Sequence, residues 1–197
     1  MNENINVLLK RESELPDLID SVCDITDDND YTMTNITPLN MACDNNQPEI
    51  AHLLLSAEAD TNIVMVGKEY RQSPLYMAAR HGMSSTVQQL LDSGASIDYA
   101  NSDGAGNTHM TALYVACDKN NPGTANILIN AGANINIAAV DDKNIKATPL
   151  YWAVSNGMVS TVQLLMSKGA RTDIDRPGNL LSAAKYSGDQ FLINMFN

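Results

Sequence analysis

The sequence predicts an all-α repeat solenoid, and two observations predict it. A tripeptide recurs at near-constant intervals: Thr37-Pro38-Leu39, Ser73-Pro74-Leu75, Thr111-Ala112-Leu113 and Thr148-Pro149-Leu150, with starts 36, 38 and 37 residues apart. A degraded fifth copy begins at Asn179-Leu180-Leu181, 31 residues on. Each copy then continues in the same order, which is what a stack of supersecondary units requires. An alanine-bearing stretch comes first, then a break, a second apolar segment and an exit turn.

Each part has a physical reason. The Thr or Ser hydroxyl can accept an orphan backbone N–H and cap a helix, and a following Pro suits the first helical position. The alanines of Met41-Ala42-Cys43, Met77-Ala78-Ala79, Val115-Ala116-Cys117, Trp152-Ala153-Val154 and Ala183-Ala184-Lys185 let neighbouring helices approach closely. Gly82, Gly157 and Gly188 allow a tight turn between two antiparallel helices. The second helices are predicted around Ile50 to Leu55, Val87 to Leu91, Ala125 to Ile129 and Val162 to Met166. Gly94, Gly132 and Gly169 then stand where a helix C-terminus needs a residue tolerant of positive φ.

These residues resemble the ankyrin repeat, whose pattern is T-P-L-H-x-A-A followed by G and L-L-x-x-G-A-D. The resemblance covers about Thr37 to Asn197. It implies stacked helix-turn-helix repeats in a curved solenoid, with extended β-turn or hairpin fingers projecting on one side. The expected organisation is an N-terminal helical cap and acidic loop over residues 1–36, then four repeats over 37–178 (37–72, 73–110, 111–147 and 148–178). A partial C-terminal repeat or cap fills 179–197.

The departures from the pattern are specific. Asn40, Tyr76, Tyr114, Tyr151 and Ser182 replace the family's His. Glu58 stands where an exit-turn Gly is expected, and Asn120-Asn121-Pro122 occupies an inter-helix turn. The connections before the second, third and fourth copies are longer than the family's compact finger. Asn2 to Arg11 and Leu15 to Val22 are predicted as two short capping helices around Pro16, followed by a solvated acidic stretch, Asp24 to Asp30. At the other end Phe191-Leu192-Ile193-Asn194-Met195-Phe196 stops near the middle of a second helix. The chain is expected either to be trimmed from something longer or to have this segment covered.

Composition narrows the function. Lys and Arg number 12 against 23 for Asp and Glu, a formal charge of -11. Such a surface repels phosphate backbones, and Lys10-Arg11 is the single basic pair, so nucleic acid is excluded as the expected partner. A protein with a basic surface is the better electrostatic match. The first residues lack the pattern of a secretory signal, and no apolar run approaches a membrane span. Cys23, Cys43 and Cys117 have no metal-like spacing, and a reduced, cytoplasmic compartment is expected.

Catalytic chemistry finds no support. His52, His81 and His109 fall in different repeat contexts, outside any metal motif. Cys43 and Cys117 are read as small packing residues, and Cys23 as lying on the apolar side of the N-terminal cap. An EF-hand over Asp24 to Asn35 fails, because Asn29 and Asn35 stand where the loop needs Gly and Glu. Gly104-Ala105-Gly106 precedes no strand–helix crossover and is read as a turn. No enzyme activity, cofactor or metal is expected.

The reading is therefore a non-catalytic protein-protein interaction module: an adaptor, scaffold or targeting domain. In the resembled family partners contact the fingers and the concave face made by first helices. By position the concave candidates are Asp44, Asn45, Arg80, His81, Asp118, Lys119, Ser155, Asn156 and Tyr186. The fingers contribute Met65, Lys68, Tyr70 and Arg71, then Tyr99, Asn101, Asp103 and His109, then Val140, Asp141, Asp142, Lys143 and Lys146. Tyr76, Tyr114 and Tyr151 should form a row along the stack, read as packing residues with bonded hydroxyls rather than as a binding ladder. The alternative function is the substrate-targeting segment of a larger enzyme or of a bacterial effector delivered into a host cytoplasm. A monomer is expected, with self-association through Phe191 to Phe196 as the competing arrangement. The resemblance further implies Asn62 and Asn136 as positions that animal cells can hydroxylate.

Overall fold

Four hydroxyls start the four central units. In the computed structural model of the chain, the side chains of Thr37, Ser73, Thr111 and Thr148 accept hydrogen bonds from the backbone N–H groups of Asn40, Tyr76, Tyr114 and Tyr151. The structure describes residues 19–26, 32–67, 70–103, 105, 107–141, 143–144, 146–173 and 180–197. The capped helices are α1 (Pro38–Asp44), α3 (Pro74–His81), α5 (Ala112–Asp118) and α7 (Pro149–Ser155). Each is followed by a second helix: α2 (Pro48–Ser56), α4 (Ser84–Asp92), α6 (Pro122–Asn130) and α8 (Val159–Ser167). A last pair, α9 (Leu180–Ser187) and α10 (Gln190–Phe196), closes the described chain. First helices pack on first helices in the order α1, α3, α5, α7, α9, and α2, α4, α6 and α8 pack likewise. The predicted helix-turn-helix solenoid is the observed architecture.

The layer between repeats is aliphatic and closely packed. Leu39, Leu75, Leu113 and Leu150 follow the cap residues and are almost wholly buried, as are Leu54, Leu90, Leu128 and Leu165 of the second helices. Ala42, Ala78, Ala116 and Ala153 are inaccessible to solvent, so the alanine stretches are where first helices meet.

The turns explain two departures from the repeat pattern. The inter-helix turn needs one residue at positive φ, supplied by Gly82 (φ 71°) and Gly157 (φ 67°) but by Asn46 (φ 54°) and Asn120 (φ 57°) in the other two copies. Asn is among the few L-residues that enter this region without large cost. Gly82 carries a second constraint: a Cβ there would lie 2.8 Å from Asn121 Oδ1 of the next repeat. At the exit turns Gly94, Gly132 and Gly169 take φ values of 87°, 90° and 84°, and Glu58 is forced to 66°.

A ribbon of short strands runs beside the helices. β1 (Cys23–Thr26), β2 (Thr32–Ile36), β3 (Met65–Val66) and β4 (Arg71–Gln72) form one antiparallel sheet, and β5 (Ala139–Val140) pairs with β6 (Lys146–Ala147). Single bridges join them through the second finger: Arg71 with Ser102, Asn101 with Met110, and Thr108 with Val140. Three expectations change here. Residues 19–22 are turn and irregular chain leading into β1, so the second capping helix does not reach Val22, and the rest of that cap lies outside the described residues. Asp24 to Thr26 belong to a strand rather than a solvated loop, because β1 pairs with β2 as an additional finger ahead of the first repeat. Cys23 is exposed in that strand, its thiol donating to the Ile36 carbonyl at 3.6 Å, and does not face the core.

Candidate functional site

The side of the stack formed by the fingers and the C-terminal ends of the first helices brings together residues far apart in sequence. Tyr76 comes from α3, Asp103, Asn107 and Met110 from the second finger, Tyr114 and Asp118 from α5, Asp141 from the third finger and Trp152 from α7. Together with Lys119 they line a cavity of about 250 Å³. Part of its lining is aromatic. Tyr114 and Trp152 meet edge to face with centroids 6.4 Å apart, and Tyr151 also meets Trp152 edge to face, at 5.4 Å. Tyr76 and Tyr114 are buried, consistent with the packing reading of the tyrosine row, and the Tyr76 hydroxyl donates to Met110 Sδ at 3.6 Å.

Carboxylates line it as well. Asp103 is held in place by the backbone N–H groups of Ala105 and Asn107 and by the Asn107 side-chain amide. Asp118 pairs with Lys119 at 2.9 Å, and Asp141 accepts from the Lys143 backbone N–H at 3.0 Å. Burial pushes the Tyr76 phenol well above its ordinary pKa; Arg80 opposes the rise, while Asp103, Asp118 and Tyr114 add to it.

Other predicted contact residues separate into two groups. Arg71, His81, His109, Lys119 and Lys143 are exposed, while Tyr70, Arg80, Tyr99, Asp103, Asp118, Asp141 and Asn156 are half-buried. Arg80 bridges repeats by pairing with Asp44 at 2.6 Å and reaching Gln72 Oε1 at 3.4 Å; Tyr70 donates to the same Gln72 oxygen at 2.6 Å. Lys68 and Asp142 lie outside the described residues. Met65 and Asn101 are corrections: they are 2% and 1% exposed and offer nothing to a partner. Asn101 accepts from Ser73 N–H at 2.8 Å and donates to the Tyr99 and Met110 carbonyls, so it braces the finger against the start of α3. Ser155 is likewise buried, and Asn156 donates to the Cys117 and Asp118 carbonyls, closing the end of the preceding first helix. Asn121 does the same for Ala79 and Arg80 one repeat earlier, from a different position in its repeat. Tyr186 is 83% exposed. In the terminal segment Leu192 is buried and Ile193 and Phe196 pack against the core, leaving Phe191 and Met195 outward.

Sequence reasoning missed a ladder in the exit turns. Asp20, Asn62, Asp98 and Asn136 each accept a hydrogen bond from a backbone N–H one repeat on, at Asp60, Ser96, Asn134 and Arg171, over 2.8–2.9 Å. Its signal was an Asx residue recurring three positions beyond the exit-turn alanine (Ala59 and Asn62, Ala95 and Asp98, Ala133 and Asn136). Asn62 and Asn136, the positions implied for hydroxylation, are rungs of it.

The remaining reactive groups are scattered or inert. Burial first, and the neighbouring Asp44 second, push the Cys43 thiol up to about 12, and burial beside Asp118 raises Cys117 in the same way. Neither forms the nucleophilic thiolate near neutral pH. His52 contacts Gln89 in an open depression between α2 and α4, away from His81 and His109. Among the described residues no three or more His, Cys, Asp or Glu side chains converge to hold a metal ion, and no helix is long and apolar enough to cross a membrane.

Comparison with known proteins agrees with this geometry. The family model for ankyrin repeats (3 copies) matches residues 3–103 and 75–177. The chain is similar to the B-cell lymphoma 3 protein homolog of Mus musculus, 32% identical over 160 residues, which covers 79% of this chain and 31% of the relative. It is 36% identical over 134 residues to the ankyrin repeat and KH domain-containing protein mask-1 of Caenorhabditis elegans, covering 68% of this chain and 5% of that one. A third relative is the glycerophosphocholine phosphodiesterase GDE1 of Eremothecium gossypii, 32% identical over 143 residues, 71% of this chain and 10% of the enzyme. The chain thus spans less than a third of the length of each of these three relatives. With repeat, caps, turns and family model in agreement, the chain belongs to the ankyrin-repeat family.

Proposed function

We propose that the chain is a non-catalytic adaptor or scaffold module that binds a basic protein surface through its fingers and the ends of its first helices. Ankyrin repeats are non-catalytic and generally bind other proteins, which supports this reading. The observation that carries it is the division of labour across the stack. Apolar residues at the repeat-periodic positions are buried between helices, whereas the finger side presents polar and acidic groups from several repeats, among them His81, His109 and the half-buried Asp103, Asp118 and Asp141. The net charge of -11 favours a cationic partner. Three free cysteines support action in a reducing, cytoplasm-like compartment.

Capture from cell lysates, with purified chain beside a His81→Ala, Tyr99→Ala, His109→Ala variant, tests the proposal. A protein retained by the chain and lost with the variant, at equal thermal stability, is the expected result. Retention should also fall as salt rises past about 0.15 M, where the Debye length is about 8 Å. Retention indifferent to both the variant and salt overturns the reading.

A second reading is favoured by one observation: the match covers 10% of a phosphodiesterase. On that reading the segment selects substrates for a larger enzyme or a delivered effector, and the same surface acts in targeting.

A further inference from the structure

We propose that two copies of this chain pair back to back through the outer faces of their second helices, the Phe191 and Met195 side chains of each copy seating in the depression between α2 and α4 of the other. The pair replaces the expected monomer and narrows the competing arrangement to two residues of the terminal segment. The fingers lie on the far side of the stack and stay open, so the inference stands apart from the interaction reading above.

A knob and a hole lie on one face of the molecule. Phe191 is 49% exposed, and its place in the four preceding units is held by Glu49, Ser85, Gly123 and Ser160, all exposed. Stacking leaves this position open even inside the solenoid, so a further repeat would not cover Phe191. Met195, 38% exposed, stands about one helical turn along the same side of α10. Glu49 and Ser85 also line the depression between α2 and α4, a hollow of about 520 Å³ whose exposed lining is mostly carbon. That volume lies within the roughly 300–1,000 Å³ that takes groups the size of a drug molecule, which is room for both side chains. Between the two ends, Leu53, Ile127 and Leu164 hold the place of Met195 in their own units, exposed in α2 and half-buried in α6 and α8. An apolar row thus runs from hole to knob, and a contiguous row of this kind marks a contact surface.

Charge selects a second copy as the occupant. The formal charge of -11 lies wholly within residues 1–60, where 13 Asp and Glu stand against Lys10 and Arg11. Residues 143–197 have the opposite sign, with six Lys and Arg against three Asp. Glu49, Glu58 and Asp60 are exposed in the unit that carries the hole, and Lys168 and Lys185 are exposed in the units at the knob. Antiparallel pairing sets the basic end of each copy on the acidic end of the other, whereas parallel pairing would set acid on acid. A two-fold axis then makes the same contact twice and closes the assembly at two chains. Both halves of the contact are present on one molecule.

Sedimentation equilibrium of the full chain tests the pairing. The mass is expected to rise from one chain to two, and no further, as concentration passes through the micromolar range. Phe191→Ser gives α10 the residue type of Ser160, and Ser85→Arg fills the hole. Each should raise the dissociation constant about tenfold or more, as loss of an anchor or of its pocket does. Thermal unfolding of each variant establishes that it is folded. Mixing the two variants brings an intact knob to an intact hole once per pair, so the mixture should associate more tightly than either variant alone. A chain that keeps the mass of a monomer up to its solubility limit overturns the proposal, and so does a dimer indifferent to both variants. A dimer weakened by Phe191→Ser and not by Ser85→Arg overturns it too, because knob would then meet knob. The capture variant changes His81, Tyr99 and His109, which belong to neither end of this contact, so failure of the pairing and failure of the interaction reading are told apart.

Discussion

The exit turns and the fingers both join neighbouring repeats through polar groups, and they use those groups in opposite ways. At the exit turns one Asx oxygen per repeat accepts a backbone N–H of the next, and the pattern continues from Asp20 to Asn136. Every acceptor there serves the stack. Along the fingers the repeats are joined by isolated bridges of one residue pair, and Asp103, Asp118 and Asp141 from three successive elements line one cavity. The lesson is that a polar residue repeating with the period is part of the scaffold, whereas one that departs from the period has to be placed by its own contacts, as Asn121 is by its bonds to the Ala79 and Arg80 carbonyls. Asn101 shows why position alone is not enough. It sits in a long finger, yet its amide braces α3 and it is buried.

The largest effect should come from the apolar layer beneath both regions. Leu150 is inaccessible to solvent in α7, so Leu150→Ala leaves a cavity between repeats and should cost about 2–5 kcal/mol. Urea unfolding measures it. A cost under about half a kilocalorie would contradict the stacking, because even partial relaxation of a buried leucine site leaves more than that. Breaking the ladder should cost less. Asn136→Ala removes the acceptor for Arg171 N–H and should cost about 1 kcal/mol. Asn136→Asp should be close to neutral, because Asp98 already makes the same bond one repeat earlier. Equal losses for both substitutions would show that the ladder is not held by its oxygen.

A change of opposite sign separates strain from bonding in the same turns. Glu58 occupies the exit-turn position at φ 66° where the other copies place glycine. An L-residue pays about 1–2 kcal/mol in that region, and glycine returns part of the difference through its greater freedom in the unfolded chain. Glu58→Gly should therefore stabilise the chain by about 0.5–1 kcal/mol, seen as a rise in the unfolding midpoint. An unchanged or lowered midpoint would mean that the Glu58 side chain makes compensating contacts.

The periodic parts were legible in the sequence, for a physical reason. Caps at Thr37, Ser73, Thr111 and Thr148 need a hydroxyl, and inter-helix turns need Gly or Asn, so residue type announces position. The β1–β2 hairpin was not legible, because its acidic composition resembles a solvated loop while its pairing depends on β3 beside it. The burial of Met65 followed from the same sheet: pleating turns alternate finger residues inward, and finger length alone does not show which. The cavity was legible least. Tyr76, Asp103, Asp118 and Asp141 were each singled out, but their meeting depends on how three units stack and how far two fingers lean over them.

The smallest predicted change in stability makes the sharpest test of the contrast between the two regions. Asp118 pairs with Lys119, whose side chain is 52% exposed, and exposed pairs of this kind contribute about 0–1 kcal/mol. Replacing the carboxylate with an amide keeps the shape and frees an ammonium that water can solvate. Asp118→Asn should thus unfold within about half a kilocalorie of the original chain. An Asx rung in the exit turn behaves the other way when truncated, losing stability as its backbone partner loses an acceptor. If Asp118→Asn instead destabilised the chain by as much as Asn136→Ala, the carboxylates lining the cavity would belong to the scaffold as the ladder does. The distinction between the two faces would then fail at the residue on which it depends most.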